Sequence, residues 1–90
     1  METQLVKGDD IIQILMVDEV DKILSIIEAI ELAKRAGFNE HEGFMIATVV
    51  SELATNILRY AQKGKITLKI VQELHRTGIS VIAEDQGPGI

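Results

Sequence analysis

The stretch Ser51-Glu52-Leu53-Ala54-Thr55-Asn56-Ile57-Leu58-Arg59-Tyr60-Ala61 sits in the middle of a longer run whose apolar residues recur three and four apart. Ile46, Val50, Leu53, Ile57 and Ala61 form one stripe, the signature of a helix with one buried face. Asn39 followed by Glu42 supplies an N-cap with an acid at the third helical position, and Gly64 is read as the stop. At 100° per residue, Glu52, Asn56 and Arg59 share a polar face, with Tyr60 at its border. A carboxylate and an amide oxygen one turn apart can serve the same bound ion or water. The same spacing also describes an ordinary solvated face.

Working outward, Ile66, Leu68 and Ile70 alternate with Thr67, Lys69 and Val71, and a second alternating run covers Ile79 to Glu84. Such period-2 patterns predict two strands, with His75-Arg76-Thr77-Gly78 read as the hairpin turn between them. Upstream, the β-branched and aliphatic run 11–17 predicts a first strand. Asp18 then caps a helix whose core stripe is read as Val20, Ile23, Leu24, Ile27 and Ile30, ending at Gly37. The order strand, helix, helix, strand, strand predicts an α+β layer pair, two helices on one face of a mixed or antiparallel sheet.

The composition bounds the function. The chain has 90 residues, 9 basic and 14 acidic, a net charge of −5, 47% apolar residues and no cysteine. One small domain is all that this length supports. The lack of cysteine excludes disulfides and thiolate metal sites, and points to a reducing, cytoplasmic setting. No apolar run is long enough to span a bilayer, and an acidic balance argues against nucleic-acid binding. The charge is uneven. Residues 1–42 carry 10 acids against 4 bases, whereas 43–90 carry 4 acids against 5 bases, all five between Arg59 and Arg76. Lys63, Lys65, Lys69 and Arg76 read as a solvated sheet face or as a patch for an acidic partner. His41 and His75 lack partners at zinc-ligand spacing, and Met16 and Met45 read as core filler.

The second informative stretch is Glu84-Asp85-Gln86-Gly87-Pro88-Gly89-Ile90, where a strand runs into two glycines flanking a proline. Glycines let a backbone pass close to a ligand, and an aspartate before such a turn can accept a hydrogen bond from an exocyclic amine. By composition alone it is equally an ordinary turn. It carries neither the Lys-Ser/Thr of a P-loop nor a dinucleotide fingerprint.

Residues 51–61 and 85–90, separated by a hairpin, together resemble the N-box and first glycine box of the GHKL (Bergerat-fold) ATPases. Ala33-Lys34-Arg35-Ala36-Gly37-Phe38 and Lys63-Gly64-Lys65-Ile66 are similar to segments of anti-sigma regulatory factors, above all the serine/threonine switch kinases of the RsbT type. The resemblance runs from about residue 11 to the last residue. It implies a two-layer α/β sandwich of the histidine-kinase-like ATPase type, truncated before the ATP lid, so that residues 1–90 make a single incomplete domain.

By the same resemblance, Glu52 is the general base toward the attacking hydroxyl and Asn56 the ligand of magnesium on the ATP phosphates. Asp85 binds the adenine amine, Gly87 and Gly89 let the loop lie on the nucleotide, and Arg59 and Tyr60 line the pocket. The implied activity is ATP- and magnesium-dependent phosphorylation of a serine or threonine on a STAS-domain antagonist, in a bacterial partner-switching pathway of stress or sporulation. The alternative is a non-catalytic module of the same fold that binds a sigma factor, phosphatase or antagonist, the chain as given being too short to bind ATP well. Ile26 stands where kinase members carry an arginine, and Lys22, one turn earlier, lacks the guanidinium fork. A sheet edge left open by truncation predicts a homodimer or other edge association.

Overall fold

The computed structural model describes residues 5–85. Strands β1 (Leu5–Lys7) and β2 (Ile11–Met16) are followed by helices α1 (Glu19–Arg35) and α2 (Glu40–Asn56), a π-helical turn at Ile57–Ala61, and strands β3 (Gly64–Glu73) and β4 (Arg76–Asp85). The strands form one antiparallel sheet in the order β1-β2-β3-β4. Both helices lie on one face. The α+β layer pair expected from the pattern is therefore present, with a short β1 that the alternation did not announce.

The sheet contributes Ile12, Ile14, Met16, Ile66 and Leu68 to the core, and the helices contribute Ala29, Leu32, Val50, Ala54 and Ile57. Register places Ile14 opposite Ile66 and Ile12 opposite Leu68, so the inward residues of the two central strands lie side by side. Ile79 and Val81 extend this layer onto β4 while remaining half-buried.

Local chemistry explains where the helices begin and end. The Asp18 carboxylate accepts hydrogen bonds from the amides of Val20 and Asp21, and Asp21 reaches back to the amides of Val17 and Asp18 at 2.9 and 3.0 Å. The donors that a helix start leaves unpaired are thus satisfied from both sides. At the other end, Phe38 N–H donates to Ala33 O and Gly37 N–H to Lys34 O, with Gly37 at φ +94°. This is a Schellman ending, which needs the left-handed conformation that glycine adopts without strain. Asn39 and Glu42 make the corresponding reciprocal cap on α2.

Four readings are corrected. The buried face of α1 is Asp21, Ser25, Glu28, Ala29, Leu32 and Ala33; of the stripe read from sequence, Leu24 packs against the core and Ile30 is half-buried, whereas Val20, Ile23 and Ile27 are 70%, 57% and 52% exposed. That orientation follows from partners the helix alone does not reveal. It carries Asp21 to the backbone amides, Glu28 to Lys7 Nζ at 3.0 Å, and the small Ala33 against Gly43 of α2. Second, the hairpin turn is Leu74-His75, because Glu73 pairs with Arg76 and Gly78 already pairs with Val71. Third, Gly64 belongs to β3, and the helical segment ends instead at Gln62, which takes a positive φ of 72°. Fourth, Met45 is exposed, although Met16 is core filler as read. His41 and His75 are both exposed. Among the described residues, no helix is long and apolar enough to cross a membrane.

Candidate functional site

The C-terminal end of α2 and the π turn lie against the end of β4, and an open cleft of about 350 Å³ separates them. Its walls are Leu53, Asn56, Ile57 and Tyr60 on one side and Ala83 and Asp85 on the other. The size falls within the roughly 300–1,000 Å³ typical of small-molecule sites. Apolar side chains make its floor, while an amide, a phenol and a carboxylate converge on its rim. Such a lining suits a flat heterocycle held by a few directional hydrogen bonds.

Each rim residue has a structural reason for its place. Asn56 is the last residue of α2, one turn beyond Glu52. From Ile57 onward the chain hydrogen-bonds in the wider π pattern, which takes more residues to return to a given face. Tyr60, four residues after Asn56, thereby comes back over the cleft. Arg59 does not line it. Its guanidinium lies over the Tyr60 ring instead, 5.9 Å from the centroid, within range of a cation–π contact. The wheel drawn at 100° per residue placed Arg59 on the site face and Tyr60 at the border, and the π turn reverses that order.

Asp85 ends β4 directly opposite Gly64. A Cβ at Gly64 would collide with the Glu84 carbonyl oxygen and stand 2.9 Å from Ile57 Cγ2. The missing side chain lets β3, β4 and the π turn close together, which sets the distance between the Asn56 and Asp85 walls. Lys65 and Glu84 pair across the same strands at 3.7 Å, on the opposite side of the sheet from the cleft.

Of the residues singled out from sequence, Asn56, Tyr60 and Asp85 meet at this cleft. Glu52 is exposed on the same helix face but stands outside the lining, one turn toward the N-terminus. Gly87 and Gly89 lie outside the described residues. Leu53, Ile57 and Ala83 complete the walls. The first two were read as core stripe, and Ala83 carried as its only signal a small residue at an inward position of β4. Among the described residues, no group of three or more His, Cys, Asp or Glu could hold a metal ion.

The two-layer α+β domain thus carries a cleft between a helix end and the end of an edge strand, lined in part by Asn56, Tyr60 and Asp85. Over 59 residues the chain is 48% identical to the serine/threonine-protein kinase RsbT of Bacillus subtilis, and that stretch is RsbT-like. The match covers 66% of this chain and 44% of RsbT, so the chain spans less than half of its relative. No family model and no solved structure matches the chain.

Proposed function

We propose that the chain carries the nucleotide-facing part of an ATP- and magnesium-dependent serine/threonine protein kinase of the GHKL type, acting in the cytoplasm on a STAS-domain antagonist. The observation that supports this most is the convergence of Asn56, Tyr60 and Asp85 on one cleft, in a chain 48% identical to RsbT over 59 residues. Because the match covers 44% of RsbT, transfer is proposed for the whole protein.

In this reading the Asp85 carboxylate accepts a hydrogen bond from the adenine amine, and Leu53, Ile57 and Ala83 cover the apolar face of the base. Tyr60 borders the ring. The Asn56 amide oxygen is a hard, neutral ligand suited to magnesium. Asn56 would hold the ion through this one oxygen, since magnesium usually keeps several waters beside one or two protein ligands. Bound there, the ion would supply neutralisation of phosphate charge. Glu52, one turn away, takes the proton as the substrate oxygen attacks the γ-phosphorus. The new O–P bond forms while the bond to the bridging oxygen breaks, and ADP leaves. Alignment and charge compensation carry most of the rate in such transfers.

The second reading is a non-catalytic module that grips a sigma factor, phosphatase or antagonist, or a second copy along the β4 edge. It is favoured by Ile26, half-buried where a terminal-phosphate arginine would stand, and by Lys22, whose Nζ lies 3.9 Å from Glu19 instead. Incubation with magnesium ATP and a STAS-domain antagonist separates the two. Phosphoserine or phosphothreonine on the antagonist, lost in Glu52→Gln, supports the kinase; tight binding with no phosphate transferred supports the module.

A further inference from the structure

Met45 and Val49 are 57% and 48% exposed, although the helix that bears them is packed on its other side. At 100° per residue they fall within about 60° of Glu52 and Asn56. The four residues therefore form one continuous outward face. Along it, polarity changes once: Met45 and Val49 are apolar, and Glu52 and Asn56 are polar.

The order along the axis matters. The cleft takes in Asn56 and Tyr60 but not Glu52, so the small-ligand site lies on the C-terminal side of Glu52. A group that gives its proton to Glu52 must then approach over the N-terminal side, where Val49 and Met45 lie. At about 1.5 Å of rise per residue they stand roughly 4.5 and 10.5 Å from Glu52. An extended segment advances about 3.3 Å per residue, so the two side chains would lie under residues within about three positions of the reacting one. An isolated exposed Leu or Met needs no explanation, but two in line with a candidate base do.

We propose that Met45 and Val49 select the phosphoacceptor: a serine- or threonine-bearing protein segment with apolar side chains within about three residues of its hydroxyl. This rests on the kinase reading above. Met45 and Val49 touch the flanking residues and not the reacting atoms, so they are specificity residues, separate from Glu52 in role.

The test is an array of synthetic peptides, each with one central serine or threonine and randomised flanks, probed with the fluorescently labelled full chain. The wild type is expected to retain peptides carrying Leu, Ile, Val, Phe or Met near the hydroxyl. M45Q/V49Q should lose at least about tenfold of that retention, because two apolar contacts are replaced by polar groups. I23Q, on the outward face of α1, should keep it. Equal retention by wild type and M45Q/V49Q, or no apolar preference, overturns the proposal. So does a dimer that becomes monomeric in M45Q/V49Q while peptide retention is unchanged, which would assign the face to a second copy. Transfer from magnesium ATP to the retained peptides is read separately. A KM that rises about tenfold in M45Q/V49Q with kcat little changed supports the selection. Selective retention without transfer to any peptide overturns the kinase reading, and with it the description of the bound segment as a phosphoacceptor.

Discussion

Gly64 and Asp85 face each other across the β3–β4 pair, and a Cβ on Gly64 would stand 3.1 Å from the Asp85 Cα while colliding with the carbonyl oxygen of Glu84. The position of the candidate adenine-binding carboxylate thus depends on a hydrogen atom in the neighbouring strand. Gly64→Ala is expected to lower stability by about 1–3 kcal/mol, the usual range for overpacking, since the nearest obstructing atom is a backbone oxygen and cannot rotate away. Urea unfolding measures the loss. Nucleotide affinity should fall further than stability alone explains, because β4 must shift to accept the methyl group.

Asp85→Ala removes the only carboxylate of the described cleft lining. Hydrogen bonds to charged groups contribute about 1.5–3 kcal/mol, so ATP affinity of the whole protein should fall roughly 10- to 100-fold. Inosine triphosphate carries an oxygen where adenine carries its amine. It should bind the wild type weakly and be little affected by the substitution, as calorimetric titration with both nucleotides would reveal.

Glu52 stands outside the cleft lining, so the proposed kinase reading expects its loss to affect transfer and not nucleotide binding. Glu52→Gln should reduce kcat by about 10²–10⁴, the usual contribution of a positioned general base, with ATP affinity unchanged within about twofold. A matched fall in ATP affinity would show that Glu52 holds the nucleotide instead.

The capping pair at the start of α1 offers a stability test free of any functional reading. Asp18→Ala should lower stability by about 1 kcal/mol. Asp21→Ala should lower it by about 1–3 kcal/mol, because the buried carboxylate satisfies the amides of Val17 and Asp18. The two residues share one network, so the double variant should lose less than the sum of the singles. Denaturant midpoints of the four proteins complete the cycle.

The outward stripe of α1 provides a contrast with its inward face. Ile23→Gln and Ile27→Gln should each change stability by no more than about 0.5 kcal/mol, as exposed positions do. Leu32→Ala, in the sealed core, should cost about 2–5 kcal/mol. Thermal melts of the three variants suffice. A large loss from Ile23→Gln would mean that this face is covered in solution.

The amino-acid sequence by itself determined most of the elements, the start of both helices and the end of α1. Asp18, Gly37, Asn39 and Glu42 carry signals that act within one helical turn, and alternation along β2 and β3 is a property of the strand alone. It also pointed to Asn56, Tyr60 and Asp85, which meet at the cleft, but not to Leu53, Ile57 and Ala83, whose share in the lining depends on how α2 sits against β4. Only the tertiary structure decided which face of α1 is buried. Two stripes compete on that helix, and Val20, Ile23 and Ile27 are left outside because Asp21, Glu28 and Ala33 find partners in the β2–α1 junction, in β1 and in α2. Only the tertiary structure decided that Tyr60 and not Arg59 reaches the cleft, through a π turn that a fixed helical period cannot express. The place of Met45 was settled the same way. Whether a side chain at a given angle meets a neighbour or solvent depends on where the other helix lies, and that is a relation between segments distant in the chain.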